Sequence, residues 1–268
     1  MHRLMNMERY KLRTSKLFLI LMGVLFVLNA ALTAGMLFLM NSLSQITEID
    51  GVAVEGLDSV IDHVNLSDAI ASPFSISLLL IIVFVSAVSF LYSDMENGYI
   101  KNIAGQLPNR GVLVNAKFII VAIHNFLFFV CAVLSSILGN AIGSKVVVDD
   151  AVPQGIATVL LKWLLSISLT CILIMITTGF KNKTLATVMG VFFATGLLSL
   201  VYMGINTAAS KFIKNVEFDI SDFMPDSLMS SVDVINNEYV MNAIVMSIIF
   251  IVLFLTITYI IFRKRDVK

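Results

Sequence analysis

The chain has 268 residues and no formal net charge, because 18 Lys and Arg residues balance 18 Asp and Glu residues. Hydrophobic residues make up 58% of it and charged residues only 13%, whereas soluble domains have about 45–50% apolar and about 25% charged residues. This composition excludes a soluble enzyme, since too few polar groups are present to cover the apolar surface in water.

Six apolar runs are long enough to cross a bilayer as helices, which takes about 20 residues each. They cover residues 17–40, 74–92, 118–142, 157–180, 184–205 and 241–262. Strands are excluded, because lipid cannot satisfy open strand edges and the runs lack the alternation of a transmembrane barrel. The sequence therefore predicts an all-α integral membrane protein with six transmembrane helices.

The first run could be mistaken for a signal peptide, because residues 31–34 resemble a small-residue cleavage sequence. Its apolar stretch nevertheless continues unbroken to Met40, whereas a cleaved hydrophobic region normally has about 7–15 residues. We therefore expect an uncleaved membrane anchor.

Charge predicts the orientation, because Lys and Arg accumulate in cytoplasmic loops. Of the 18 basic residues, 14 lie in segment 1–16, in the loops after the second and fourth runs, and in the carboxyl-terminal tail. The other loops carry 14 of the 18 acidic residues. Both termini are thus predicted to be cytoplasmic, in a multi-pass protein of the cell membrane.

The two largest outer loops are long and acidic. In the first, at about 41–73, residues 57–61 are typical of a short interfacial helix. The last, at about 206–240, mixes acids with apolar residues. It is predicted to be an outer helix or re-entrant piece broken at Pro225, with a solvated loop as the alternative.

No catalytic or metal-binding motif is present. The chain lacks both the phosphate-binding pattern G-x-x-x-x-G-K-[ST] and the H-E-x-x-H pattern, so it is not expected to hydrolyse ATP itself. His2, His63 and His124 are far apart in sequence, which disfavours a metal site. Cys131 and Cys171 lie in apolar runs and are expected to be buried thiols.

Polar residues inside membrane spans often mark a substrate or ion pathway. His124 and Asn125 in the third run are either helix-packing hydrogen bonders or substrate contacts. Lys162, near the outer start of the fourth run, is expected to extend its amine to the interface. None of the runs contains Asp or Glu, which weakens an ion-coupled carrier.

Small residues indicate where helices approach closely. Gly139 and Gly143 form a small-x-x-x-small pair in the third run, and Gly190, Gly196 and Gly204 give the fifth run similar potential.

The cytoplasmic segment 93–117 is longer than an antiparallel helix pair requires. Asp94 is placed to cap a short helix, which Gly105 and Pro108 would end. One face of that helix would be apolar, formed by Ile100, Ile103 and Leu107. Such a helix is either a mechanical handle between two spans or a helix resting at the headgroups.

This segment reads Asp94-Met95-Glu96-Asn97-Gly98-Tyr99-Ile100-Lys101-Asn102, followed by Arg110 and by Lys117 at the entry to the third run. It resembles the loop after the second span of type 2 ABC export permeases, in particular bacterial permeases of bacitracin resistance, lantibiotic immunity and peptide export. The basic amino-terminal segment, the six runs and the large last outer loop match that layout. The long acidic first outer loop departs from it.

The resemblance implies a coupling helix that docks on a separately encoded ATP-binding subunit. The residues concerned are Asp94, Glu96, Asn97, Gly98, Tyr99, Ile100, Lys101, Asn102 and Arg110. Glu96 would face basic groups of the partner, while Tyr99 and Ile100 would be apolar anchors. ATP and Mg would be bound by that subunit, and this chain would need no cofactor.

The resemblance also implies an assembly and a cargo. Two ATP-binding subunits would pair with two permeases, the second being a copy of this chain or a sibling. Segment 1–16 would be an elbow helix at the inner interface, where its basic residues would contact anionic lipid. The cargo would be a peptide, an antibiotic or a lipid-like amphiphile, and no nucleic-acid partner is expected.

Two other classes remain open on the residues alone. A secondary carrier or channel would use His124 and Asn125 as a polar track and would work without an ATPase. A membrane enzyme or a sensor partner is the third class, for which no catalytic pair is present.

Overall fold

The computed structural model describes residues 2–49, 63–75, 77–96, 111–212, 219–234 and 239–264. Its helices include α1 (His2–Thr14), α2 (Lys16–Ile49), α3 (Leu66–Ala71), α4 (Ser77–Glu96), α5 (Gly111–Gly143), α6 (Val152–Ile174), α7 (Lys183–Thr195), α8 (Leu198–Phe212), α9 (Pro225–Ser231) and α10 (Val240–Lys264). Shorter 3-10 helices cover Ser72–Ser75 and Ile220–Phe223, and α6 continues as a π-helix over Met175–Phe180. Two three-residue strands, β1 (His63–Asn65) and β2 (Lys145–Val147), pair in parallel.

Each predicted apolar run falls on helix within the described residues, which confirms an all-helical membrane protein. In the described part of the chain, four stretches are long and apolar enough to cross a membrane: Lys16–Ser42, Gly111–Gly143, Val152–Phe180 and Val240–Arg263. The apolar part of α4, Ser77–Ser93, is shorter. Six spans and the orientation of the termini therefore stay predictions. We call the end where α4 begins the outer end and the end where α4 finishes the inner end.

The fifth predicted run is not one straight helix. It is divided between α7 and α8, which meet at an angle of 73° and together could form a fifth span. Gly196 ends α7 with a φ of 66°, in the left-handed conformation that glycine adopts without a Cβ penalty. The bend therefore lies at a residue type that adopts this conformation without strain.

The small-residue pair of α5 packs as predicted. A Cβ atom on Gly139 would lie 2.7 Å from a backbone oxygen of α2, and one on Gly143 would lie 2.8 Å from an α2 side chain. In the fifth run Gly190 packs against α4, where a Cβ atom would lie 3.2 Å from the nearest side chain. Gly196 and Gly204 do not pack in this way, since no described atom lies within 4 Å of a Cβ at either position.

Replacing Gly139 with alanine is expected to lower the free energy of unfolding by about 1–3 kcal/mol, because α2 must move to admit the methyl group. The matched control is Gly204→Ala, where space is free and alanine favours the helix by about 0.5–1 kcal/mol. Unfolding in mixed detergent micelles measures both. Equal effects at the two positions would contradict the close approach of α2 and α5.

The outer end differs from two predictions. Pro225 begins α9 rather than breaking a helix, because proline lacks only an amide hydrogen that the first helical turn does not use. Lys162 is 5% exposed and interacts electrostatically with Asp233 of the last outer segment, so its amine is covered by protein instead of extending into solvent. The predicted helix at 57–61 lies outside the described residues.

At the inner end, α1 packs against α5. Leu4 is buried with Leu113, Val114 and Phe262, so the amino-terminal helix, α5 and α10 share one apolar cluster. Segment 1–16, predicted to be an elbow, is helical over most of its length.

Candidate functional site

The predicted coupling segment connects α4 to α5 at the inner end. Residues 97–110, which include seven of the nine predicted coupling residues, lie outside the described part of the chain. Glu96 is the last residue of α4 and is exposed. Asp94 lies within α4 rather than at the start of a separate helix, because the chain has no glycine or proline between Ser77 and Gly98.

Lys117 ties together the two helices that flank this segment. It lies in the second turn of α5 and is 1% exposed. Its Nζ donates a hydrogen bond to the carbonyl oxygen of Leu91 on α4 at 3.3 Å. The helix that enters the coupling segment and the helix that leaves it are therefore braced to each other.

Two charged residues of α1 complete an inner charge cluster, which we define as Glu8, Lys11 and Lys117. Glu8 is 1% exposed, and its carboxylate has no hydrogen-bond partner among the described residues. Burial lowers the pKa of Lys11 to about 8, Glu8 opposes this shift and Lys117 adds to it. Lys11 Nζ also lies 5.3 Å from the ring centre of Phe90 on α4. The cluster joins α1, α4 and α5.

His124 and Asn125 lie in the middle of the bundle and are both 0% exposed. His124 Nε2 is 2.9 Å from Ser86 Oγ on α4, and its Nδ1 is 3.1 Å from Asn125 Oδ1. Asn125 Nδ2 donates to Thr170 Oγ1 on α6 at 2.9 Å. An amide oxygen only accepts, so Nδ1 carries a proton, and a neutral ring then accepts from Ser86 at Nε2.

Three phenyl rings enclose the imidazole. The ring centre of His124 lies 5.2 Å from that of Phe18 on α2, 6.2 Å from Phe90 on α4 and 4.8 Å from Phe128 on α5. With its hydrogen bonds, the pair His124–Asn125 thus contacts α2, α4 and α6. The arrangement holds helices together, and cargo contact at these residues stays a prediction.

Among the buried polar groups that sequence reasoning missed are Asn29 and Glu8. Asn29 Nδ2 donates to Ser135 Oγ at 2.7 Å and to the carbonyl oxygen of Ala132 at 2.8 Å, which links α2 to α5. Glu8 was missed as well, although it is the only acid in a basic amino-terminal segment. A polar residue inside an apolar run was the available signal for Asn29.

The described residues contain no group of three or more His, Cys, Asp or Glu side chains arranged to hold a metal ion. Several of the described polar groups join neighbouring helices, and Lys117 and His124 both join α5 to α4, the two helices that flank the predicted coupling segment.

Comparison with known proteins identifies the family. Residues 4–197 match the family model described as ABC-2 family transporter protein, a range that includes the inner charge cluster and the His124 pair. No curated protein matches the chain. Members of this family are membrane permeases that lack catalytic activity themselves and pair with ATP-binding subunits. The resemblance noted in the sequence is confirmed, and the chain belongs to the ABC-2 family of transporter proteins.

Proposed function

We propose that the chain is the permease subunit of an ATP-driven exporter in a bacterial cell membrane. A separate subunit hydrolyses ATP, and the cargo is a peptide, an antibiotic or a lipid-like amphiphile. The family match and the apolar helices support a permease. The export direction and the cargo class come from the resemblance of residues 94–102 to export permeases.

The observation that carries the proposal is the family match over residues 4–197, and the coupling step is supported by the hydrogen bond between Lys117 and Leu91. It braces α4 to α5 next to the segment on which an ATPase would push. A displacement of residues 94–102 therefore reaches both helices together, and the inner charge cluster passes it to α1. Two packings of such a braced unit are what an alternating transporter needs.

The proposed assembly contains two permeases and two ATP-binding subunits. One chain supplies at most six spans, and this class of exporter places its pathway between two such halves. The second permease is another copy of this chain or a sibling. Glu96, exposed at the end of α4, is available to the ATP-binding subunit, with residues 97–102 and Arg110 completing the contact.

Affinity purification of the tagged protein from its native membrane tests this proposal. We expect a stoichiometric ATP-binding subunit with the wild type and its loss from a Glu96→Lys, Gly98→Trp double variant. The control is Arg263→Glu, which reverses one exposed charge at the inner end of α10. An ATPase that is absent from the wild type overturns the exporter. An ATPase that stays bound to the double variant overturns the docking site.

A further inference from the structure

A cavity of about 460 Å³ opens at the outer end, between the first turn of α4, the bend at Gly196 and the segment that contains α9. Hydroxyl groups line it, among them that of Ser77 on α4 and those of Thr195 and Ser199 on either side of the bend between α7 and α8. Leu80, Phe193 and Met229 form an apolar wall and are buried. The cavity thus combines a polar and an apolar side.

Two carboxylates line the same cavity, those of Asp222 and Asp226, and no Lys, Arg or His is among the described residues around it. Asp226 is 6% exposed. Its Oδ1 accepts a hydrogen bond from the Tyr202 hydroxyl at 2.9 Å, whereas its Oδ2 makes no hydrogen bond of normal geometry with the described residues. Ser227 Oγ, also at the cavity, lacks such a partner as well.

A buried carboxylate oxygen without a donor is unfavourable, and a charged one needs a positive partner. Burial raises the pKa of Asp226, while the Tyr202 hydroxyl and the amides of Asp226 and Ser227 oppose this shift. Water can hydrate part of the cavity but does not neutralise the carboxylate. A cation that also donates hydrogen bonds would supply both the charge and the donor.

The lining distinguishes an organic cation from a metal ion. Calcium is held mainly by carboxylate and carbonyl oxygens, whereas the side chains that line this cavity supply two carboxylates, several hydroxyl groups and an apolar wall. An ammonium group donates three hydrogen bonds, and an attached alkyl chain would cover Leu80 and Phe193. We propose that this cavity binds the primary ammonium group of an amphiphile, with Asp226 as its anionic partner.

Asp226 lies beyond residues 4–197, which match the family, whereas Ser77, Leu80 and Phe193 of the same cavity lie within that range. That the ligand is transported cargo rests on the proposed function. Binding itself does not, because it is measurable on purified protein without an ATPase. A failure of binding therefore leaves the exporter standing, and a failure of ATPase capture leaves the binding site standing.

The test is isothermal titration calorimetry of octylammonium into the full chain in lipid nanodiscs. We expect Asp226→Asn to weaken binding about 10-fold or more, since a charged hydrogen bond is lost. The amide oxygen can still accept the hydrogen bond from the Tyr202 hydroxyl. Asp150→Asn, which removes an exposed charge at the same end, should leave the affinity unchanged.

Ser227→Ala is a second variant in case Asp226→Asn fails to fold, and it should weaken octylammonium binding about 3-fold or more. Octyltrimethylammonium, which cannot donate hydrogen bonds, should bind less tightly than octylammonium. Equal affinity of the wild type and Asp226→Asn, or an equal loss in Asp226→Asn and Asp150→Asn, overturns the proposal. Displacement of octylammonium by calcium ions overturns the class of ligand.

Discussion

Replacing Lys117 with methionine is expected to lower the free energy of unfolding by about 1.5–3 kcal/mol, the usual contribution of a hydrogen bond made by a charged group. Methionine has a similar length and retains the apolar packing of the lysine stem. What disappears is the hydrogen bond to Leu91 and the positive charge that faces buried Glu8. Equilibrium unfolding in mixed detergent micelles measures the loss.

A second substitution separates charge from packing. Glu8→Gln removes a buried negative charge that the positive charge of Lys117 opposes, so the double variant should be more stable than Lys117→Met alone. Lys16→Met is the matched control, because Lys16 is exposed at the same end, and we expect a change within about 0.5 kcal/mol. Additive single effects would contradict an interaction between Glu8 and Lys117.

Lys117→Met also separates stability from coupling. Lys117→Arg does not replace this test, because it retains the charge but places a planar guanidinium where a compact ammonium fits. If the brace between α4 and α5 transmits force, the ATP-binding subunit stays bound in Lys117→Met while its ATPase activity no longer drives transport.

The helices could be predicted from the sequence because the hydropathy of a segment indicates whether lipid or water surrounds it. Lipid allows only backbones that satisfy their own hydrogen bonds, so an apolar run of sufficient length fixes both location and conformation. The pair Gly139 and Gly143 was readable for a related reason, since a small residue every fourth position marks one helix face. The bend at Gly196 was not, because glycine in an apolar run is equally compatible with a packing contact and with a helix end.

The hydrogen-bond partners of the buried polar residues could not be predicted from the sequence. His124 and Asn125 stand out in their run, but contacts with Ser86 and Thr170 depend on how α4 and α6 are rotated toward α5. Glu8 is a similar case, because a charged residue in a basic amphipathic segment normally faces solvent. Its burial follows from the docking of α1 on α5, which is a property of the assembled bundle.

The roles of the coupling residues were predicted in a different way. Their roles come from resemblance in residues 94–110, and all but Asp94 and Glu96 lie outside the described part of the chain. The structure adds the hydrogen bond from Lys117 to Leu91 between the two flanking helices. The resemblance included Lys117 but not this contact. Capture of the ATP-binding subunit and the Lys117 variants therefore test two separate links of one mechanism.

Replacing His124 with alanine is expected to lower the free energy of unfolding by about 3 kcal/mol, because a ring that touches three phenyl groups is removed from a closed core. Hydrogen bonds are the smaller part, since those between membrane helices average about 0.6 kcal/mol. Ser86→Ala, which removes one hydrogen bond to the same ring, should therefore cost at most about 1.7 kcal/mol. The matched control is His63→Ala on exposed β1, expected to be neutral.

Stability and transport together decide between the two roles of His124. If His124 is a packing residue, His124→Ala loses stability, and transport falls in proportion to the amount of folded protein that remains. A cargo contact predicts unchanged unfolding with lost transport, which would require the Ser86 and Asn125 contacts to open during the cycle. Because both ring nitrogens already have partners and three rings close the site, we expect the first result.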